Sequence, residues 1–120
     1  MKLLDSFAWI EYFMGSKSGS KMRDYIEGNE PLYIPSICLT EIKSRYLKDK
    51  KDPTARLKLV TERSFVIPLS MEMALLAADI KQRCRLHTIG SIVYATSQHR
   101  NLILVTGDHH FKDLPNVEMV

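Results

Sequence analysis

The sequence predicts an α/β fold with a mostly parallel sheet of four to five strands and helices on both faces. Short apolar runs at Leu3-Leu4, Leu32-Tyr33-Ile34, Phe65-Val66-Ile67 and Leu102–Val105 are too continuous to leave one sheet face in water. Segments of helical periodicity separate them, which is the alternation that builds parallel sheets. Two of the runs end in an aspartate, Asp5 and Asp108, and a third leads to Glu41 early in a helix. In such a sheet the carboxyl ends of the strands share one edge, where ligands bind, so acids far apart in sequence can meet there.

The elements follow in order. After the first strand, Ser6 is placed to cap a helix carrying Trp9, Ile10 and Phe13, which the polar tract Gly15–Ser20 interrupts as a short loop. Met22, Tyr25 and Ile26 suggest a second helix, stopped by Gly28-Asn29. Pro35 closes the strand Leu32-Tyr33-Ile34, and a helix starting near Ser36 runs through Ile42 and Tyr46 to the break at Lys50–Pro53. Ala55–Glu62 reads as a short helix. Pro68 closes the strand Phe65-Val66-Ile67, and Ser70 caps the next helix, through Met73, Leu76, Ala77 and Ile80. A last helix runs from near Thr88 to His99, and Val117–Val120 suits a fifth strand at the sheet edge.

At 120 residues, with 45% hydrophobic and 26% charged, the chain has the balance of one globular domain spanning 1–120. No apolar run reaches the roughly 20 residues of a membrane span, and the start lacks a secretory apolar segment, so a cytoplasmic protein away from membranes is expected. Cys38 and Cys84 lack metal-ligand spacing and read as core filler rather than a disulfide. The net charge of +3 is unevenly placed, with Lys43, Arg45, Lys48, Lys50, Lys51, Arg56, Lys58 and Arg63 crowding one stretch. Such a stretch suits either phosphate contact or a solvated helical face.

Several carboxylate chemistries are excluded by the neighbours. A phosphatase of the aspartyl-phosphate type needs a second acid where this chain has Phe7, and the acid pair and late lysine of receiver domains are missing. Neither a GxxxxGK[ST] nor a GxGxxG loop exists, nor a credible Ser/His/Asp order or HExxH pair. What remains is the set Leu4-Asp5-Ser6-Phe7-Ala8-Trp9-Ile10-Glu11-Tyr12-Phe13, Ser36-Ile37-Cys38-Leu39-Thr40-Glu41-Ile42, Ser91-Ile92-Val93-Tyr94-Ala95-Thr96 and Leu104-Val105-Thr106-Gly107-Asp108-His109-His110-Phe111. In order and spacing this set resembles the PIN-domain family, and within it the VapC-type toxin ribonucleases of toxin-antitoxin pairs. The likeness spans nearly the whole chain.

That resemblance implies a single PIN domain and metal-dependent hydrolysis of RNA phosphodiester bonds. It also implies Mg²⁺ or Mn²⁺ held by acids, a small antitoxin partner and a homodimer with a shared basic groove. Carried over residue by residue, it makes Asp5, Glu41 and Asp108 the catalytic, metal-binding acids, with Ser6 and Thr106 supporting them. Asp5 also suits a helix cap, Glu41 an exposed helical position and Asp108 a plain Gly-Asp turn. Lys43, Arg45 and Lys48, on the helix that begins near Glu41, become the candidate RNA-binding residues. One position departs: the family's penultimate helix normally opens on an aspartate, and that acid falls on Gly90. Its absence sets a second expectation beside the first, a catalytically weakened module that still docks an antitoxin or RNA. Asp79 and His87 are the nearest substitute donors in sequence, Asp79 reading as surface and His87 as a poor match for a hard cation. His109 and His110 read as an exposed loop.

Overall fold

A computed structural model describes residues 1–120. Five strands, β1 (Lys2–Leu4), β2 (Leu32–Pro35), β3 (Ser64–Ile67), β4 (Ile103–Thr106) and β5 (Val117–Met119), form one sheet in the order β3-β2-β1-β4-β5. Every pairing is parallel. The central strand β1 has neighbours on both sides, so both Leu3 and Leu4 are fully buried despite pointing to opposite faces.

Seven helices connect the strands: α1 (Ser6–Met14), α2 (Lys17–Ser20), α3 (Arg23–Ile26), α4 (Ser36–Lys48), α5 (Thr54–Arg63), α6 (Met71–Cys84) and α7 (Thr88–His99). The chain winds outward from β1 through β2 to β3, then returns past β1 to β4 and on to β5. Right-handed crossovers therefore put α1 to α5 on one face and the packed pair α6 and α7 on the other. The reversal lies between β1 and β4, and Asp5 and Asp108 follow those two strands. Trp9, Ile42, Met73 and Val93 close the core from the helices.

Local chemistry explains where the elements stop and where the sequence misleads. Asp5, not Ser6, caps α1: its carboxylate accepts the Ala8 N–H at 3.0 Å, and Ser6 is the first helical residue. Gly15 ends α1 in the left-handed region at φ +67°, which its missing Cβ permits. The tract expected as a loop contains the one-turn helix α2, capped by the Ser16 hydroxyl on the Gly19 N–H at 2.9 Å. A Cβ on Gly19 would fall 2.1 Å from the Glu11 carbonyl, so glycine is what lets α2 press against α1. The second expected helix shrinks to the single turn α3, whose last carbonyls are clamped by Arg63: Nε donates to Ile26 at 2.6 Å and Nη2 to Tyr25 at 2.7 Å. The fourth strand sits one residue later than expected, because its register with β1 pairs Ile103 with Lys2 and Val105 with Leu4. Ser70 caps α6 by accepting the Met73 N–H at 3.1 Å, as its position suggests. Cys38 is buried, Cys84 half-buried, and both thiols are free.

Candidate active site

Asp5 sits where β1 gives way to α1, 6% exposed. One oxygen accepts the Ala8 N–H, and the other accepts the Thr106 hydroxyl at 2.5 Å. The β1–β4 register makes that second bond possible, because Leu4 opposite Val105 sets the next residues, Asp5 and Thr106, side by side. Thr106 in turn accepts the Asp108 N–H at 3.1 Å, so one buried hydroxyl fixes both the Asp5 carboxylate and the start of the loop bearing Asp108. Burial is the main influence on the Asp5 carboxyl and pushes it up to about 6; the bonds from Thr106 and Ala8 oppose this, and Glu41 and Asp108 add repulsion.

Glu41 lies on α4, where its Oε1 accepts the Ser6 hydroxyl at 2.9 Å. Ser6 therefore supports a neighbouring acid rather than capping α1. Below it, Cys38 is buried, and desolvation followed by the charges of Asp5 and Glu41 holds its thiol well above the ordinary value.

Asp108 is gripped from the rim. Its Oδ1 accepts the His110 N–H at 2.9 Å and lies 2.7 Å from His110 Nδ1, while His87 Nε2 stands 3.8 Å from Oδ2. Partial burial pushes this carboxyl up, but the His110 bonds and the attraction of His110 and His87 outweigh it, leaving it below the usual carboxylate range. The expected loop at His109 and His110 is a single 3-10 turn, His109–Phe111; both histidines are exposed, as expected, but His110 is fastened to Asp108.

The three acids line one cleft of about 370 Å³, together with Ser6, Gly90 and His87, and no lysine or arginine is among the lining residues. Gly90 thus borders the acids, as its place in the sequence requires. No three His, Cys, Asp or Glu side chains converge into a ready-made metal site. The donors still fit a hard divalent cation in kind: they are oxygen ligands, and the raised Asp5 carboxyl marks negative charge that the protein itself leaves uncompensated. Asp79 is exposed on α6 and outside the cleft.

The basic stretch divides. Lys43 and Lys48 line an open groove with Thr40, Ser44 and Leu47 along α4, the helix that carries Glu41. Arg45 faces elsewhere, paired with Asp49 at 3.1 Å. Arg63 serves the α3 carbonyls, and Arg56 lies over the Phe13 ring at 4.8 Å.

Sequence reasoning passed over three contributors. His87 caps α7, its Nδ1 accepting the Gly90 N–H at 3.0 Å; the i to i+3 spacing was visible, but histidine is not among the favoured caps. Phe7 packs on Gly107 so closely that a Cβ there would sit 2.1 Å from the ring. Phe111 reaches the cleft from the turn after Asp108.

The family model described as PIN domain matches residues 2–117. The chain belongs to the PIN domain family. Solved structures agree on the fold of this PIN domain. A toxin-antitoxin complex from Klebsiella pneumoniae superposes with a TM-score of 0.83 at 21% identity, covering 99% of this chain and 97% of that one. VapBC2 from Rickettsia felis, bound to a DNA fragment from its promoter, gives 0.77 at 17% identity, covering 99% and 96%. VapC20 of Mycobacterium tuberculosis, a toxin that cleaves the sarcin-ricin loop, gives 0.75 at 10% identity, covering 96% and 95%. No curated relative matches the chain by sequence. The PIN domain has no helix long and apolar enough to cross a membrane.

Proposed function

We propose that this PIN domain is a metal-dependent endoribonuclease, the toxin of a toxin-antitoxin pair acting on cytoplasmic RNA. The observation that carries the reading is the meeting of Asp5, Glu41 and Asp108, from three separate elements, in one cleft with no lysine or arginine among its lining residues. Asp5, Glu41 and Asp108 would hold Mg²⁺ or Mn²⁺, which when bound supplies a polarised water and neutralises charge on the phosphate. The chain's own residues do the positioning. Thr106 and the Ala8 N–H lock both oxygens of Asp5, Ser6 aims Glu41, and His110 steadies Asp108. Phe7, Ile89 and Phe111 supply apolar wall that limits bulk water at the acids.

Lys43 and Lys48 line a groove along α4, the helix that carries Glu41, and would take the RNA backbone there, whereas Arg45 pairs with Asp49. An exposed apolar surface at Phe65, Leu69, Met71 and Leu75 suits a protein partner, either the antitoxin or a second copy of the chain. The antitoxin reading is supported by the toxin-antitoxin complexes among the structural relatives.

Antitoxin-free protein is expected to cleave single-stranded RNA in Mg²⁺ or Mn²⁺, and to lose that cleavage in EDTA and on Asp5→Asn. No cleavage across a range of metals and RNAs would sink the nuclease. One observation favours a second reading, a weakened module that binds antitoxin or RNA: Gly90 borders the acids without adding one. Gly90→Asp separates the two, since a large rise in Mn²⁺ affinity and cleavage marks the present chain as impaired.

A further inference from the structure

We propose that His87 is a substrate-binding residue, seated in the space that a side chain at Gly90 would fill and donating from Nε2 to a phosphate oxygen of the RNA. The inference rests on the ribonuclease reading and deepens it. A Cβ on Gly90 would lie 3.0 Å from both Cε1 and Nε2 of His87 and 3.2 Å from the Phe111 ring. The imidazole therefore crowds the space that a side chain at that position would enter, and glycine leaves it uncontested.

The ring's chemistry follows from its anchor. A backbone N–H only donates, so the bond from Gly90 to Nδ1 at 3.0 Å leaves Nδ1 without a proton and puts the neutral ring's proton on Nε2. A metal needs a bare nitrogen, and in this pose Nε2 has none to offer. Nε2 therefore carries a proton at the mouth of the cleft, and the nearest protein acceptor, Asp108 Oδ2 at 3.8 Å, is beyond hydrogen-bond range, which leaves that N–H free to donate to a ligand. The ring is 54% exposed at the mouth of the cleft, and His110 packs against it edge-on with centroids 6.0 Å apart. In a cleft read as a ribonuclease site, an N–H donor at the rim is suited to an anionic phosphate oxygen. The first turn of α7 carries no acid to oppose it, and the helix presents its positive end on the same side.

Two substitutions separate the donor from the cap. His87→Asn keeps a favoured cap but is too short to reach the phosphate, whereas His87→Gln returns an amide N–H near the position of Nε2. Binding of a short fluorescein-labelled single-stranded RNA, followed by anisotropy in EDTA, removes both metal and cleavage from the measurement. Asn is expected to weaken binding about tenfold with Tm unchanged, and Gln to stay within about threefold of the parent. Equal binding by Asn and parent, a Gln variant as weak as Asn, or a parent that binds no RNA in EDTA each overturns the proposal. So does a loss of Mn²⁺ affinity in the Asn variant with RNA binding intact, which would make His87 a ligand. Ring ¹⁵N shifts of the parent must also place the proton on Nε2; a proton on Nδ1 defeats the argument. A parent that binds RNA through His87 yet cleaves none in any metal would end the nuclease reading and leave this one standing.

Discussion

Asp5 and Asp108 border one cleft from adjacent strands, yet the fold treats their charges in opposite ways. Asp5 is sealed between β1 and β4 and its carboxyl is pushed up to about 6, because burial and two like charges outweigh two good hydrogen bonds. Asp108, more open to water, is drawn below the usual range by His110 and His87. The contrast teaches where the site stores its tension. The buried acid is costly to ionise, whereas the rim acid is already satisfied by the protein.

The strongest way to break this comparison is Asp5→Asn, which removes the buried charge and keeps the cap on α1. RNA cleavage is expected to fall about a thousandfold, ~4 kcal/mol of barrier. The metal-free variant should at the same time be more stable than the parent at neutral pH, by up to about 3 kcal/mol in urea unfolding. A variant that is less stable as well as inactive would show that the charge is not strained.

The next largest effect is the pH dependence of the metal-free parent. The folded-state value of about 6 lies above the ordinary 3.8, so between them the folded protein binds more protons than the unfolded chain. Stability contributed by Asp5 is therefore full below about 4 and declines by about 3 kcal/mol as pH rises through 6. Asp108 works the other way, since its depressed carboxyl adds stability above the usual carboxylate value that is lost as pH falls. Mn²⁺ should offset the loss above pH 6, and thermal scans with and without metal test both signs. A flat profile between about 4 and 6 would remove the strain from Asp5.

Thr106→Val sharpens the comparison from between the two acids, because Thr106 donates to Asp5 and accepts from the Asp108 backbone. Unfolding at neutral pH should show a loss of about 1–2 kcal/mol, and cleavage should drop about tenfold, as the buried carboxylate loses its donor. Unchanged activity would mean that the bridge is not needed for positioning. The smallest effect belongs to His110→Ala, which frees a half-buried carboxylate to reorient. Cleavage should change by no more than about threefold, with stability within about 0.5 kcal/mol, and a hundredfold loss would move the working acid to the rim.

Much of this was legible in local chemistry. Apolar runs marked the five strands, Ser70 marked the start of α6, and the family pattern brought Asp5, Glu41 and Asp108 to one edge. The misses share one cause. Asp5 rather than Ser6 caps α1, and Ser6 turns instead to Glu41, 35 residues away in sequence. Gly19 permits a helix where a loop was expected, but only because α1 passes 2.1 Å from where its Cβ would be.

By itself the sequence determined the alternation of strands and helices and the resemblance to the PIN domain family, which singled out the three acids as candidates. The first is written in patterns a few residues long, where burial and backbone preference act locally, and the second in the order and spacing of segments along nearly the whole chain. Only the tertiary structure decided how those acids are held. The Thr106–Asp5 bond spans 101 residues and exists because β1 and β4 pair in one register. The His87 ring fills the space beside Gly90 because Phe111 and the start of α7 pack there. Charge, desolvation and hydrogen-bond reach depend on distance in space, and no local run of residues encodes that distance.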